Sequence, residues 1–265
     1  MILRGTVSSN VLNMSTGLSV LAPDCPKADR GYRIVYLLHG LHGDHETWLN
    51  QTMLPVFAND FNALFVMPEV GRSFYRDMRH GLRFFTYVIE ELPDLCKRVF
   101  NVSGSREDTA VIGCSMGGYG ALKCALSKPQ QYGFCGAIST AAIPLKQYLE
   151  GLRADPSQWL KTGGAPAEAL LRDFYAIFGD DLPWDPGDDL IELARNLAGA
   201  PVKPRIYASC GTEDEFRKEN LDFKAVMEKL DFDFTYEEWP GVHGWYFFSR
   251  ALQRSLQQWY GEKPE

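Results

Sequence analysis

Gly113-Cys114-Ser115-Met116-Gly117 constrains this chain more than any other five residues, because an apolar strand runs into it and a helix runs out of it. Residues 108–112 are short, apolar and β-branched, the pattern of a buried strand, and residues 118–126 read as a helix packed against it. Strand, Gly-x-Ser-x-Gly and helix in that order predict a nucleophile elbow. Such a turn is so sharp that the positions two before and two after the serine crowd each other. Gly113 and Gly117 leave that space open, and Gly118 lets the helix sit close to the sheet. Ser115 then stands at the sheet's edge with its hydroxyl free to attack.

The flanking chain has the alternation such an elbow needs. Residues 2–22 read as two antiparallel strands with a turn near Ser8-Ser9-Asn10. Beyond them, strand–helix repeats predict a mostly parallel sheet of about eight strands with helices on both faces. The expected strands lie at 34–38, 63–67, 108–112, 134–138, 205–209 and 232–238. Helices are expected over 81–99, kinked at Pro93, and near 217–230 and 245–260. Residues 141–203 are far longer than an ordinary connection. They carry helical patterns at 145–152, 167–178 and 190–197, with loop signals at Gly163-Gly164, Pro183 and Pro186-Gly187. This predicts a helical cap inserted into a single domain spanning 1–265.

A serine hydroxyl is a weak nucleophile until a base takes its proton, and the base must be oriented by a third group. On an elbow fold the partners follow in the order serine, acid, histidine. Of five histidines only His243 lies beyond the elbow, in Pro240-Gly241-Val242-His243-Gly244 between the last strand and the last helix. Cys210-Gly211-Thr212-Glu213-Asp214-Glu215 offers the acid. Asp214 is expected at the tip of the turn, with Glu213 the alternative and Glu215 starting the next helix. The oxyanion hole needs two backbone N–H groups, assigned here to Met116 and to Leu41 in His39-Gly40-Leu41-His42-Gly43-Asp44. His39, His42 and His45 stand three apart, yet Gly40 and Gly43 disfavour a helix and no carboxylate or cysteine completes a ligand spacing, so no metal is expected. Trp48, Tyr75, Trp184 and Trp245 are candidate walls of a substrate pocket, against the plainer expectation that they pack loops and cap.

Bulk properties narrow the partners. A formal charge of −7 offers no basic surface for nucleic acid or anionic lipid. No stretch is long and apolar enough to span a bilayer, and Met1-Ile2-Leu3-Arg4-Gly5-Thr6 lacks the pattern of a secretory signal. The six cysteines form no Cys-x-x-Cys pair, which predicts buried free thiols in a reducing cytoplasm, with Cys114 filling space beneath the elbow.

Several of these segments together resemble the esterase D branch of the α/β-hydrolases, which includes S-formylglutathione hydrolases, and within it the bacterial tributyrin esterases. The resemblance runs through Leu37-Leu38-His39-Gly40 with Trp48 downstream, Ser73-Phe74-Tyr75-Arg76-Asp77 and Glu91-Leu92-Pro93. It continues through residues 113–121, Cys210-Gly211-Thr212-Glu213-Asp214 and His243-Gly244-Trp245-Tyr246. It implies an α/β-hydrolase fold and a carboxylic ester hydrolase with Ser115, Asp214 and His243 as triad. It also implies small-molecule esters with short acyl chains as substrates, no cofactor, and a homo-oligomer as one expectation. Formylglutathione hydrolases usually carry Leu-Thr-Cys-Thr in the oxyanion loop and Tyr-Asp-His-Ser-Tyr around the base. Here stand Leu41-His42-Gly43-Asp44 and Gly241-Val242-His243-Gly244-Trp245, which weighs against a glutathione thioester. Feruloyl and acetyl-sugar esters and an S-formylglutathione-type thioester are the alternative substrates, and a non-catalytic binding module is the rival class.

Overall fold

Apolar runs buried on both sides form the middle of one eight-stranded sheet, as expected where helices cover both faces of parallel strands. The computed structural model describes residues 1–24 and 31–261. Its strands are β1 (Ile2–Ser9), β2 (Met14–Leu21), β3 (Arg33–Leu38), β4 (Ala63–Pro68), β5 (Thr109–Cys114), β6 (Phe134–Ile138), β7 (Arg205–Gly211) and β8 (Phe234–Trp239). They lie in the order β1-β2-β4-β3-β5-β6-β7-β8. β2 pairs antiparallel with β1 and β4, and the pairings from β4 through β8 are parallel.

The helices are α1 (Thr47–Gln51), α2 (Leu54–Phe57), α3 (Phe84–Thr86), α4 (Leu92–Val99), α5 (Met116–Ser127), α6 (Leu145–Ala154), α7 (Pro156–Phe178), α8 (Leu190–Leu197), α9 (Arg217–Met227) and α10 (Trp245–Tyr260). Alternation along β3 divides the core. Val35 and Leu37 pack with side chains of α1, α2 and α10, whereas Ile34, Tyr36 and Leu38 pack with α4 through α9. Parallel register sets the strand ends level: Leu38 faces Gly113, Cys114 faces Ile138, and Ile138 faces Ser209. The loops after β3, β5, β6 and β7 therefore emerge side by side.

Two expectations about helices are corrected. The helix expected over 81–99 starts at Phe84 and passes through a π turn at Tyr87–Glu91 before Pro93. Proline has no N–H to continue the ladder, and the widened turn lies directly before it, where the Leu92 N–H donates to the Tyr87 carbonyl. Gly163-Gly164, read as loop punctuation, lies inside α7, as does Pro166. That helix is fixed at both ends. Asp155 accepts from the Ser157 N–H at 2.9 Å with Pro156 at the first position, and Phe174, Ile177 and Phe178 are buried at the far end. Anchored ends outweigh poor propensity in between. The first hairpin turns at 10–13, slightly later than expected, with Asn13 at φ 53°.

Residues 141–203 leave β6 and return to β7 carrying α6, α7 and α8. A buried charge cluster fastens this insertion to the elbow helix. Asp188 lies 2.7 Å from Lys123 Nζ and 2.8 Å from Arg76 Nε, with the Lys123 and Asp188 side chains only 4% and 5% exposed. Tyr119 Oη donates to the Asp188 carbonyl at 2.6 Å. Cys96, Cys114, Cys124, Cys135 and Cys210 are free and buried, while Cys25 lies outside the described residues. No helix among the described residues is long and apolar enough to cross a membrane.

Removing one member of a buried ion pair strands the charge of the other. Asp188→Ala is expected to lower stability by about 3–5 kcal/mol, read as a fall of roughly 10 °C in the thermal midpoint. A fall of under about 2 °C would show that the cluster does not hold the insertion.

Candidate active site

β5 delivers the chain to Ser115, whose backbone takes φ 57° and ψ −123°. A non-glycine residue occupies such a region at a cost of about 1–3 kcal/mol and stays only where its surroundings impose it. Here they do. A Cβ on Gly113 would lie 2.1 Å from the Gly117 carbonyl oxygen, and one on Gly117 would lie 2.2 Å from that of Leu38. Strand, helix and the end of β3 thus meet backbone to backbone, which only glycine allows. The Ser115 N–H donates to the Ile138 carbonyl at 2.9 Å, and the Ser115 carbonyl accepts from the N–H groups of Gly118 and Tyr119 at 3.0 and 3.2 Å.

The loops after β7 and β8 bring the other two expected residues to this hydroxyl. His243 Nε2 lies 2.9 Å from Ser115 Oγ, and His243 Nδ1 lies 2.9 Å from Asp214 Oδ2. The imidazole sits edge-on between Phe216 and Phe248, at centroid distances of 4.9 and 5.0 Å. The Asp214 side chain is fully buried, and Oδ1 accepts from the Phe216 N–H at 2.8 Å. Burial pushes the Asp214 carboxyl up, but hydrogen bonds from His243 and the Phe216 N–H outweigh it and hold the group below the usual aspartate value. An ionised, acceptor-only carboxylate places the imidazole proton on Nδ1 and leaves the Nε2 lone pair facing the serine.

Glu213, the alternative acid, is exposed and has a different task. Its carboxylate accepts from the Gly241 N–H, its own N–H donates to the Gly241 carbonyl at 3.1 Å, and the Thr212 N–H donates to the Trp239 carbonyl at 3.1 Å. These bonds brace the acid loop against the histidine loop. Glu215 does not start the next helix: it is exposed and precedes α9 by two residues, and the acidic residue in the first turn is Glu219. Asp214 reaches the Phe216 N–H first, which sets the loop and delays the helix.

The loop after β3 lies against the elbow, where a Cβ on Gly40 would be 3.4 Å from Ser115 Cβ. Its shape is held from below. Tyr75 Oη donates to the His39 carbonyl at 2.9 Å, Trp48 Nε1 donates to the Leu38 carbonyl at 3.1 Å, and the Gly43 N–H donates to the Gly40 carbonyl at 3.0 Å. Of the two expected N–H donors, Leu41 follows Gly40 in this loop, and Met116 follows Ser115 and opens α5. His39 Nδ1 lies 2.8 Å from the Gly40 carbonyl and Nε2 accepts from the Val70 N–H at 3.2 Å, whereas His45 Nδ1 lies 3.0 Å from Ser19 Oγ. These rings serve separate partners, and no group of metal-binding side chains gathers among the described residues.

The four aromatic candidates do not form one wall. Trp48 and Tyr75 are fully buried and support the loop just described. Half-buried Trp245 packs edge-on against Trp48 at 5.3 Å, and half-buried Trp184 lies in the insertion with Lys146 Nζ 4.6 Å from its ring centre. Sequence reading passed over Phe216 and Phe248, although aromatic residues two positions from the acid and in the first turn after the base were a visible signal.

The family model Esterase, described as "Putative esterase", matches residues 9–259. An acetyl esterase from Caldicellulosiruptor saccharolyticus is 28% identical over 228 residues, covering 85% of this chain and 82% of that protein. An S-formylglutathione hydrolase from Bos taurus is 28% identical over 164 residues, covering 51% of this chain and 57% of that one. Among solved structures, the fluorophosphonate-binding serine hydrolase FphF of Staphylococcus aureus aligns with a TM-score of 0.84 at 22% identity over 99% of both chains. The S-formylglutathione hydrolase FrmB of the same organism aligns at 0.80 and 23% identity over 98% of both. Likeness at those identities speaks for the fold, which is the α/β-hydrolase fold. With a match that runs from the first hairpin into the last helix, the chain belongs to this esterase family.

Proposed function

We propose that the protein is a serine carboxylesterase that hydrolyses short-chain acyl esters through Ser115, His243 and Asp214. The observation that carries the reading is the unbroken relay from Ser115 Oγ through both ring nitrogens of His243 to a buried carboxylate, each step 2.9 Å. Ser115 Oγ attacks the ester carbonyl carbon while His243 Nε2 takes the hydroxyl proton. The carbonyl π electrons move to oxygen, and the N–H groups of Leu41 and Met116 stabilise that charge, each worth about 10²–10³ in rate. As the tetrahedral centre collapses, the ester C–O bond breaks and His243 gives its proton to the departing alcohol oxygen. Water then attacks the acyl-Ser115 ester with His243 as base again, releasing the carboxylic acid and restoring the serine. Only side chains, backbone donors and water take part.

The acetyl esterase relative supports a small acyl group. The insertion at about 141–203 is read as a cap belonging to one domain over 1–265, because Phe174, Ile177, Leu190 and Ala194 share the core cluster under the elbow helix. Five buried thiols among the described residues support a reducing compartment such as the cytoplasm.

Hydrolysis of p-nitrophenyl acetate, butyrate and octanoate and of methyl ferulate, by wild type and Ser115→Ala side by side, tests the reaction and its acyl preference. Acetate and butyrate should be the better substrates, with the mutant slower by about 10³-fold or more. Activity that survives the substitution would remove Ser115 from the mechanism, and a preference for methyl ferulate would favour an aromatic acyl group.

The acid is separable from its neighbour. Asp214→Asn keeps a side chain of the same shape but frees the imidazole to adopt the wrong tautomer, and kcat is expected to fall by about 10⁴-fold. Glu213→Gln loosens only the brace to Gly241 and should cost about tenfold or less. The reverse ranking would make Glu213 the acid.

A further inference from the structure

Apolar side chains on a protein surface are ordinary when scattered and informative when they gather. Val242 is 62% exposed and Tyr246 is 94% exposed, on either side of His243. Met53 at 59% and Val56 at 68% stand on and before the first turn of α2. The two segments are joined. The Met53 N–H donates to Ser249 Oγ at 3.1 Å, and Ser249 lies three residues on from Tyr246, on the same side of α10. The Val56 N–H donates to the Met53 carbonyl at 2.9 Å, and Trp48 against Trp245 pins α1 to the start of α10 from beneath. These four exposed apolar side chains thus stand on two bonded segments, taken together as a strip beside His243. Packing does not explain Tyr246, because Phe247, Phe248, Ala251 and Leu252 take the buried face of α10 and leave it facing water.

Acyl transfer at Ser115, as proposed above, gives the strip a chemical context. His243 Nε2 must pass its proton to the oxygen of the departing alcohol, so that oxygen lies within hydrogen-bond reach of the ring. The rest of the alcohol then extends past the residues around His243. We propose that Val242, Tyr246, Met53 and Val56 form a leaving-group subsite that selects esters of aryl and other bulky apolar alcohols over esters of small polar ones. Tyr246 offers a ring face with few torsions to order on binding, the valines add stiff apolar contact, and Met53 supplies an adaptable one.

The test holds the acyl group constant and varies the alcohol. kcat/KM is measured for 2-naphthyl acetate and ethyl acetate in wild type, Tyr246→Ala and Val242→Ser. Val99→Ala, a valine 61% exposed at the end of α4, serves as control. Because kcat/KM covers the step in which the alcohol leaves, dividing the naphthyl by the ethyl value and comparing enzymes cancels the esters' intrinsic reactivities. The ratio is expected to fall about three- to tenfold in Tyr246→Ala, less in Val242→Ser, and to stay at the wild-type value in Val99→Ala. An unchanged ratio, or equal losses on both esters, overturns the subsite and leaves the esterase reading standing. A folded wild type that turns over neither ester overturns both.

Discussion

Ser115 holds a backbone conformation that an unconstrained serine would leave, and much of the surrounding chain is arranged to keep it there. The constraint is backbone crowding: β5, α5 and the end of β3 approach so closely that neither Gly113 nor Gly117 has room for a side chain. Close approach in turn aligns the neighbours. β6 accepts the Ser115 N–H through Ile138, and the Ser115 carbonyl accepts the N–H groups of Gly118 and Tyr119 in the first turn of α5. The backbone of Ser115 is therefore held independently of His243. In the proposed mechanism that positioning spares the reaction a search for geometry, while the imidazole must still take the hydroxyl proton.

Everything else in the site is set relative to that hydroxyl. Level strand ends bring the loops after β3, β7 and β8 to it, and each loop is tied to backbone or to a neighbouring loop. Tyr75 and Trp48 hold the carbonyls at the end of β3 from inside the core, and Glu213 stitches the acid turn to the histidine turn from outside. Asp214 can remain ionised although buried because two donors face it, and its charge fixes which nitrogen of His243 faces the serine. The Lys123–Asp188–Arg76 cluster extends the same logic to the insertion, joining it to the elbow helix through the buried Lys123–Asp188 pair.

The meeting of Ser115, His243 and Asp214 was legible where local chemistry leaves few choices. A strand, two glycines and a serine have one common solution, a single histidine lay downstream, and Asp214 stood at the tip of a turn. The parallel order of strands was equally readable, since apolar runs alternated with helical patterns. What escaped depended on distant contacts. Gly163-Gly164 looked like a break because the packing of Phe174 and Phe178 that stabilises α7 is tertiary. Pro93 signals an interruption of the helix, and the form it takes, a π turn just before the proline, is not written in the residue itself. Glu215 has the charge for a helix start, yet Asp214 takes the Phe216 N–H and α9 begins only at Arg217. Trp48 and Tyr75 were candidate pocket walls because nothing in a sequence says which aromatic residues near a loop face inward. Lys123 was the clearest overlooked signal, a lone lysine on an otherwise apolar helix, whose partner Asp188 lies 65 residues away.

Mass spectrometry of the acyl-enzyme tests the central claim most directly. Wild type and His243→Ala are mixed with p-nitrophenyl acetate, quenched on the timescale of the first turnover, and mapped by peptide. A single acetyl group on Ser115, formed in wild type and far more slowly without the imidazole, is the expected result. Acetyl groups on lysines alone, or on Ser115 at the same rate in both proteins, would contradict activation of this serine by the relay.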